Sequence, residues 1–278
     1  MKKALTLILL IYFSVAYAQT YRYFYECSIK KNGNYREYQL VLDINDEEVK
    51  FYDYKFLETD SLNLKNKHNN QKFRVNSLTE QVLKRKRNSH ENSTFFTNSQ
   101  GDYFMVVYKD PISWKLLPEH KKVEGHTLQK ATTQFGGRQW EAWFSPNIPF
   151  HEGPYKFSGL PGLIFEIKDD KEDFIYKLVK STHIPTTYDT HDFIETYYGQ
   201  NPITITHKQK IKVKLDDFGD PVRNLVKIFK DGGKININGQ EITAIEQLEQ
   251  RKKTMQEDII KSYVPIELDK AIPYSLKK

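Results

Sequence analysis

Gly159-Leu160-Pro161-Gly162-Leu163-Ile164 is a glycine-proline turn set directly against an apolar run that continues Phe165-Glu166-Ile167. Pro161 presets φ near −65°, and a glycine after it can supply the positive φ at the third position of a type II turn, which predicts such a turn over Leu160 to Leu163. A strand then follows from Leu163 to Lys168. On both sides of this stretch the chain repeats one pattern, alternating apolar residues broken by short turns.

Upstream, Arg138 to Phe144 alternates, placing Trp140, Ala142 and Phe144 on one face and Glu141 and Trp143 on the other. Gly136-Gly137 joins it to Thr127 to Phe135 as a two-residue hairpin. Between Phe144 and the motif lies Ser145 to Pro154, whose three prolines and one glycine forbid a helix and disfavour a central strand. Downstream, Asp169 to Asp173 turns the chain into a strand over Phe174 to Lys180.

The N-terminal part has the same texture. Tyr21 to Ile29, Tyr35 to Ile44 and Val49 to Leu57 read as three strands joined by short turns, an antiparallel meander. Asp60 to Asn76 is polar, lacks periodicity and reads as a loop. A short strand over Leu78 to Leu83, then Phe95-Phe96, Tyr103 to Tyr108 and Trp114 to Leu117, extends the sheet. Lys84-Arg85-Lys86-Arg87 reads as a solvated hairpin tip, with an anionic partner as the sharper alternative. Asn92-Ser93-Thr94 matches a glycosylation sequon.

After Pro185 the texture changes. Tyr188 to Tyr198 reads as a short helix and Ile203 to Leu215 as a strand. Asp220-Pro221 opens a helix with Val222, Leu225, Val226 and Phe229 on one face. Thr243 to Glu246 has capping-box spacing, with Ile245, Leu248, Met255 and Ile259 as a sparse stripe beyond it. The expected fold is α+β and β-rich: a large curved antiparallel sheet with a few C-terminal helices.

Lys2 and Lys3, the apolar run Leu5 to Val15 and the small-x-small site Ala16-Tyr17-Ala18 compose a secretory signal peptide over residues 1–18. The apolar run is short for a membrane span. The expectation is therefore one exported domain over 19–278, periplasmic or extracellular, with no later transmembrane segment. The sole cysteine, Cys27, leaves no internal disulfide and lies in a strand, where burial is expected. The net charge of +6, two units of it from Lys2 and Lys3, is mild and dispersed, and gives no reason to expect a nucleic-acid partner.

Gln129-Lys130-Ala131, Gly137-Arg138-Gln139-Trp140, Ala142-Trp143-Phe144, Ile148-Pro149 and Gly153-Pro154-Tyr155-Lys156-Phe157 accompany the opening motif. Over about residues 121 to 180 the chain resembles the GLPGLI family, secreted proteins of Bacteroidetes-type bacteria. Leu128 stands where the family commonly has a cysteine. The resemblance implies an envelope protein, with a TonB-dependent outer-membrane receptor or another envelope protein as partner. It implies no activity and no cofactor.

For chemistry, the eight histidines show no metal-ligand spacing. No nucleophile elbow, zincin motif or phosphate loop is present, so no catalytic residue and no metal site is assigned. Arg138, Trp140, Trp143, Phe150, Tyr155 and Phe157 surround the proline-fixed loop, either as a binding surface or as wedges holding the loop on the sheet. The first functional expectation is a non-catalytic binding or accessory protein of the envelope, with Gly159, Leu160, Pro161, Gly162, Leu163 and Ile164 as its structural motif. The alternatives are a carrier of a lipid or apolar ligand between sheet and helices, and a hydrolase using Glu141 or Glu166.

Overall fold

The computed structural model describes residues 19–66, 72–237 and 239–276. The signal peptide expected over 1–18 lies outside them. The strands are β1 (Thr20–Lys31), β2 (Asn34–Ile44), β3 (Glu48–Asp53), β4 (Leu83–Lys86), β5 (Glu91–Thr97), β6 (Tyr103–Lys109), β7 (Lys115–Val123), β8 (His126–Phe135), β9 (Arg138–Ser145), β10 (Leu163–Asp169), β11 (Phe174–Ile184), β12 (Ile203–Thr204), β13 (Asn236–Ile237) and β14 (Gln240–Glu241). The helices are α1 (Tyr54–Lys65), α2 (His207–Gly219), α3 (Arg223–Lys230) and α4 (Ile245–Ser262).

Twelve strands form one open sheet in the order β12-β6-β5-β4-β3-β2-β1-β11-β10-β9-β8-β7. Every pairing is antiparallel except β12 on β6. The fold class is thus the expected one, a large antiparallel sheet with few helices. Strand alternation explains the core. Tyr23, Tyr25, Cys27 and Ile29 of β1 face one side with Leu40, Leu42 and Ile44 of β2 and with Trp140, Ala142 and Phe144 of β9. Val41 and Tyr52 face the other side, where α1 covers them with Phe56 and Leu57, and Phe193 and Ile194 add a second cover. On that second side Arg22 donates to both oxygens of Asp43, each at 2.7 Å, and the Tyr52 hydroxyl donates to the same carboxylate at 2.6 Å.

Several local expectations are corrected. The third strand stops at Asp53 rather than Leu57, because the buried Asp53 carboxylate accepts from Ser77 Oγ and the Leu78 N–H, and the chain leaves as α1. The first part of the expected loop over Asp60 to Asn76 is therefore helical. The short strand expected over Leu78 to Leu83 begins only at Leu83. The basic run is a solvated hairpin tip only in part: Lys86 is exposed and Arg87 enters the β4–β5 turn, but Arg85 is buried and ion-paired with Glu152, and Lys84 pairs with Glu48 and Glu195. Asn92 of the sequon is 1 % exposed, beyond the reach of a glycan. Tyr188 to Tyr198 contains a five-residue π turn, His191–Glu195, in place of an ordinary helix. Ile203 to Leu215 is mostly helix α2, and α3 starts at Arg223 with Val222, not Asp220, at its cap position.

The opening motif also folds differently from expectation. Gly162 has φ of 156°, and its N–H donates to the Leu160 carbonyl at 2.8 Å, a three-residue turn centred on Pro161 instead of a type II turn. The glycine is needed because a Cβ there would sit 2.1 Å from the Ser145 carbonyl oxygen. Gly136 and Gly137, at φ of 62° and 76°, form the expected tight hairpin between β8 and β9.

Candidate functional site

The proline-rich crossing doubles back on the motif it precedes. The N–H groups of Gly159, Leu163 and Ile164 donate to the carbonyls of His151, Ile148 and Glu152 at 2.9, 3.2 and 3.0 Å. The Ile164 carbonyl accepts from the Tyr25 hydroxyl at 2.6 Å, and that of Ser158 accepts from Trp114 Nε1 at 2.8 Å. Leu160, Leu163 and Ile164 are completely buried, while Pro161 is exposed. The motif is a buried clamp on the loop.

Of the residues named for a binding surface, Arg138, Trp140, Tyr155 and Phe157 lie beneath the surface. Trp140 and Phe157 pack with ring centroids 4.5 Å apart and their planes tilted by 59°. The half-buried pair are far from each other in setting. Trp143 lies on the opposite face of β9, with the Lys121 and Lys130 ammonium groups 4.6 and 5.7 Å from its ring. Phe150 lies 4.8 Å from Tyr21 in a groove of about 380 Å³ that also holds Ile148, Pro149 and Leu178. Glu141 and Glu166 share the Trp143 face. Lys130 binds Glu141 at 2.8 Å and Lys121 binds Glu166 at 2.6 Å. The Lys130 hydrogen bond holds the Glu141 carboxyl below its ordinary range, opposite to what a general acid needs.

Arg138 instead fastens the C-terminal segment. Its Nη1 donates to Asp169 at 2.6 Å and Asp173 at 2.7 Å, while Nε and Nη2 donate to the Ile266 and Pro265 carbonyls at 3.1 and 2.8 Å. The Leu268 N–H adds a hydrogen bond to the Gly136 carbonyl. This lays residues 263–270 across the end of the β8–β9 hairpin and brings Glu267 over Tyr155 and Lys156.

A closed ring of charge results. Lys156 donates to Asp110 and to Glu267, both at 2.7 Å. Lys270 donates to the other oxygen of each acid, at 2.6 Å for Asp110. The Tyr155 hydroxyl donates to Glu267 at 2.5 Å. Burial pushes the Glu267 carboxyl up, but Lys156 and Lys270 outweigh it and hold it below its usual value. Burial lowers Lys156 even against its two carboxylates.

Next to this ring, the helices and the C-terminal segment leave a cleft of about 540 Å³ against the sheet, within the roughly 300–1,000 Å³ span of small-molecule pockets. Ile29 of β1 and Phe174 of β11 line it from the sheet. Lys210, Lys214, Asp217 and Phe218 line it from α2, and Met255 and Ile259 from α4. Residues 76–81 close one side. Thr79 Oγ1 and Gln81 Nε2, both on this wall, are buried without a hydrogen-bond partner among the described residues. Among those residues no group of three His, Cys, Asp or Glu side chains is arranged to hold a metal ion, and no helix is long and apolar enough to cross a membrane. Cys27 is fully buried, and burial pushes its thiol up.

The cleft had no local signature. Its walls come from β1, the 76–81 segment, α2, α4 and the C-terminal segment. The one available cue was Lys210, Lys214, Asp217 and Phe218 at helical spacing, which alternation through Ile205, Ile211 and Val213 hides.

A family model described as a protein of unknown function (Porph_ging) matches residues 113–166, the span from β7 through the clamp into β10. No curated protein matches the chain. Two crystal structures of PNGF-II, each 17% identical, resemble it: one in space group P21 with a TM-score of 0.50 over 70% of this chain, and one in C2 with 0.49 over 68%. At that identity the likeness to the P21 form is one of fold. The chain spans about a third of the length of that protein, 33% and 31% in the two forms. The matched family segment coincides with the part of the chain that folds the loop onto the sheet, so what the chain shares with a family of unknown function is the clamp and its flanking strands.

Proposed function

We propose that the chain is an exported cell-envelope protein of the GLPGLI type that holds a small ligand, a lipid or another partly apolar molecule, in the cleft between its sheet and its C-terminal elements. It acts as a non-catalytic binding protein or carrier. The observation that carries this reading is the cleft itself. An apolar floor of Ile29, Phe174, Met255 and Ile259 lies beside a polar wall that includes Lys31, Lys210 and Lys214. The motif 159–164 and the wedged aromatics Trp140, Tyr155 and Phe157 serve this function by making the sheet rigid. An accessory role beside a TonB-dependent receptor is compatible with the same fold and would use the outer face around Trp143.

Mass spectrometry of the chain purified from the envelope of its source cells, under native and then denaturing conditions, tests the carrier role. A small molecule released on unfolding, and absent from a Met255→Trp variant of unchanged thermal stability, is the expected result. Protein that emerges empty in both forms, with export intact, would overturn it.

A further inference from the structure

The cleft wall carries positive charge where packing alone calls for apolar side chains. On α2, Lys210 and Lys214 are four residues apart and face inward, with their ammonium groups 5.2 and 4.8 Å from the centre of the same Phe96 ring. Like charges at that spacing on a helix repel each other. On β1, the inward row Tyr23, Tyr25, Cys27 and Ile29 ends in Lys31, which the period of two places on the same face.

The acids neutralise only Lys214 among the described residues. Glu80 binds Lys214 at 2.7 Å. Asp217 is taken by the Ser99 N–H and hydroxyl, and Glu267 by Lys156 and Lys270. Among the described residues Lys210 has no carboxylate within 4.0 Å and Lys31 donates only to the Tyr38 hydroxyl, at 3.3 Å. Lys31, Lys210 and Lys214 all line this one cleft, with Glu80 on its wall beside them. The side chain of Glu80 remains 56% exposed, so that place is open to solvent and to a ligand.

Resting on the cleft as a ligand site, we infer that Lys31, Lys210 and Lys214 form a headgroup site for an amphipathic anion, a carboxylate or phosphate on an apolar chain. The headgroup meets the surplus ammonium groups of Lys31 and Lys210. The chain lies along Ile29, Phe174, Met255 and Ile259. Among the described residues two of the three lysines have no carboxylate partner, and an anion would relieve the repulsion across α2 as it bound.

Titration calorimetry of the mature protein with dodecanoate, dodecyl phosphate and dodecanol keeps the apolar chain constant and varies the head. Both anions should bind at least about tenfold more tightly than the alcohol, and tighter binding of one anion identifies the head that fits. Lys210→Met should remove that preference and leave dodecanol affinity unchanged. Lys208→Met, an exposed site on the same helix, should change nothing. Equal affinity for all three ligands, or an equal loss from the Lys208 variant, overturns the headgroup site while the cleft stands as a binder. No binding by any of the three overturns both.

Discussion

A Cβ at position 162 would approach the Ser145 carbonyl oxygen to 2.1 Å and its carbon to 2.6 Å. Both are backbone atoms at the end of β9, so no side-chain rotation relieves the clash. Gly33 also has a positive φ, 78°, but a Cβ there meets nothing within 4 Å. The two glycines therefore separate close approach from backbone preference. Gly33→Ala should cost about 1–2 kcal/mol, the left-handed penalty alone. Gly162→Ala should cost more than about 4 kcal/mol, since the clamp must open. Urea denaturation of both variants measures the difference, and equal costs would sink the close-approach explanation. The glycine was legible as a requirement, but its cause was not, because Ser145 lies across a loop whose path the sequence does not specify.

Among the elements, the C-terminal segment owes its position to Arg138. Four of its hydrogen bonds converge from two acids and two carbonyls, and Asp169 beside it is only 1 % exposed. Removing the guanidinium leaves a buried carboxylate unpaired, which costs about 3–5 kcal/mol. Arg138→Met should lose that much in urea unfolding and also release residues 263–270. Faster amide exchange at Leu268, whose N–H binds Gly136, would show the release. A variant with full loss of stability but a protected Leu268 would place the role of Arg138 in the Asp169 pair alone. Elements were read correctly where one face is buried. The β9 pattern alternates because water lies on one side and core on the other, whereas β2 from Leu40 to Ile44 is buried on both faces. α1 and α2 were misread for a related reason. Phe51, Tyr52, Tyr54 and Phe56 run across a strand–helix junction without a break in hydrophobicity. In α2, the lysines that face the cleft occupy positions where a helix stripe would be apolar.

At the scale of the whole molecule, the sheet is held by tyrosines as much as by aliphatic residues. Eighteen tyrosines serve a chain with a single cysteine. Tyr25, Tyr52, Tyr155 and Tyr176 are buried with hydroxyls bound to Ile164, Asp43, Glu267 and Gln81. Burial raises all four well above the ordinary value of 10.0, and Tyr23 to about 12. A group whose pKa is raised by folding lends stability that is complete below its unfolded pKa and drains as pH rises above it. Each such tyrosine withdraws about 1.4 kcal/mol per pH unit above 10, so the four withdraw roughly 5–6 kcal/mol per unit. Against a total stability of about 5–15 kcal/mol, the fold should fail cooperatively one to three units above pH 10. Absorbance at 295 nm and circular dichroism followed together through this range provide the check. Tyrosines outside the core should ionise first while the strand signal persists. The rest should ionise in one step that coincides with loss of the sheet. Complete ionisation near pH 10 with the sheet signal intact would mean that these hydroxyls reach solvent in the folded protein, and the core assigned to them would have to be redrawn.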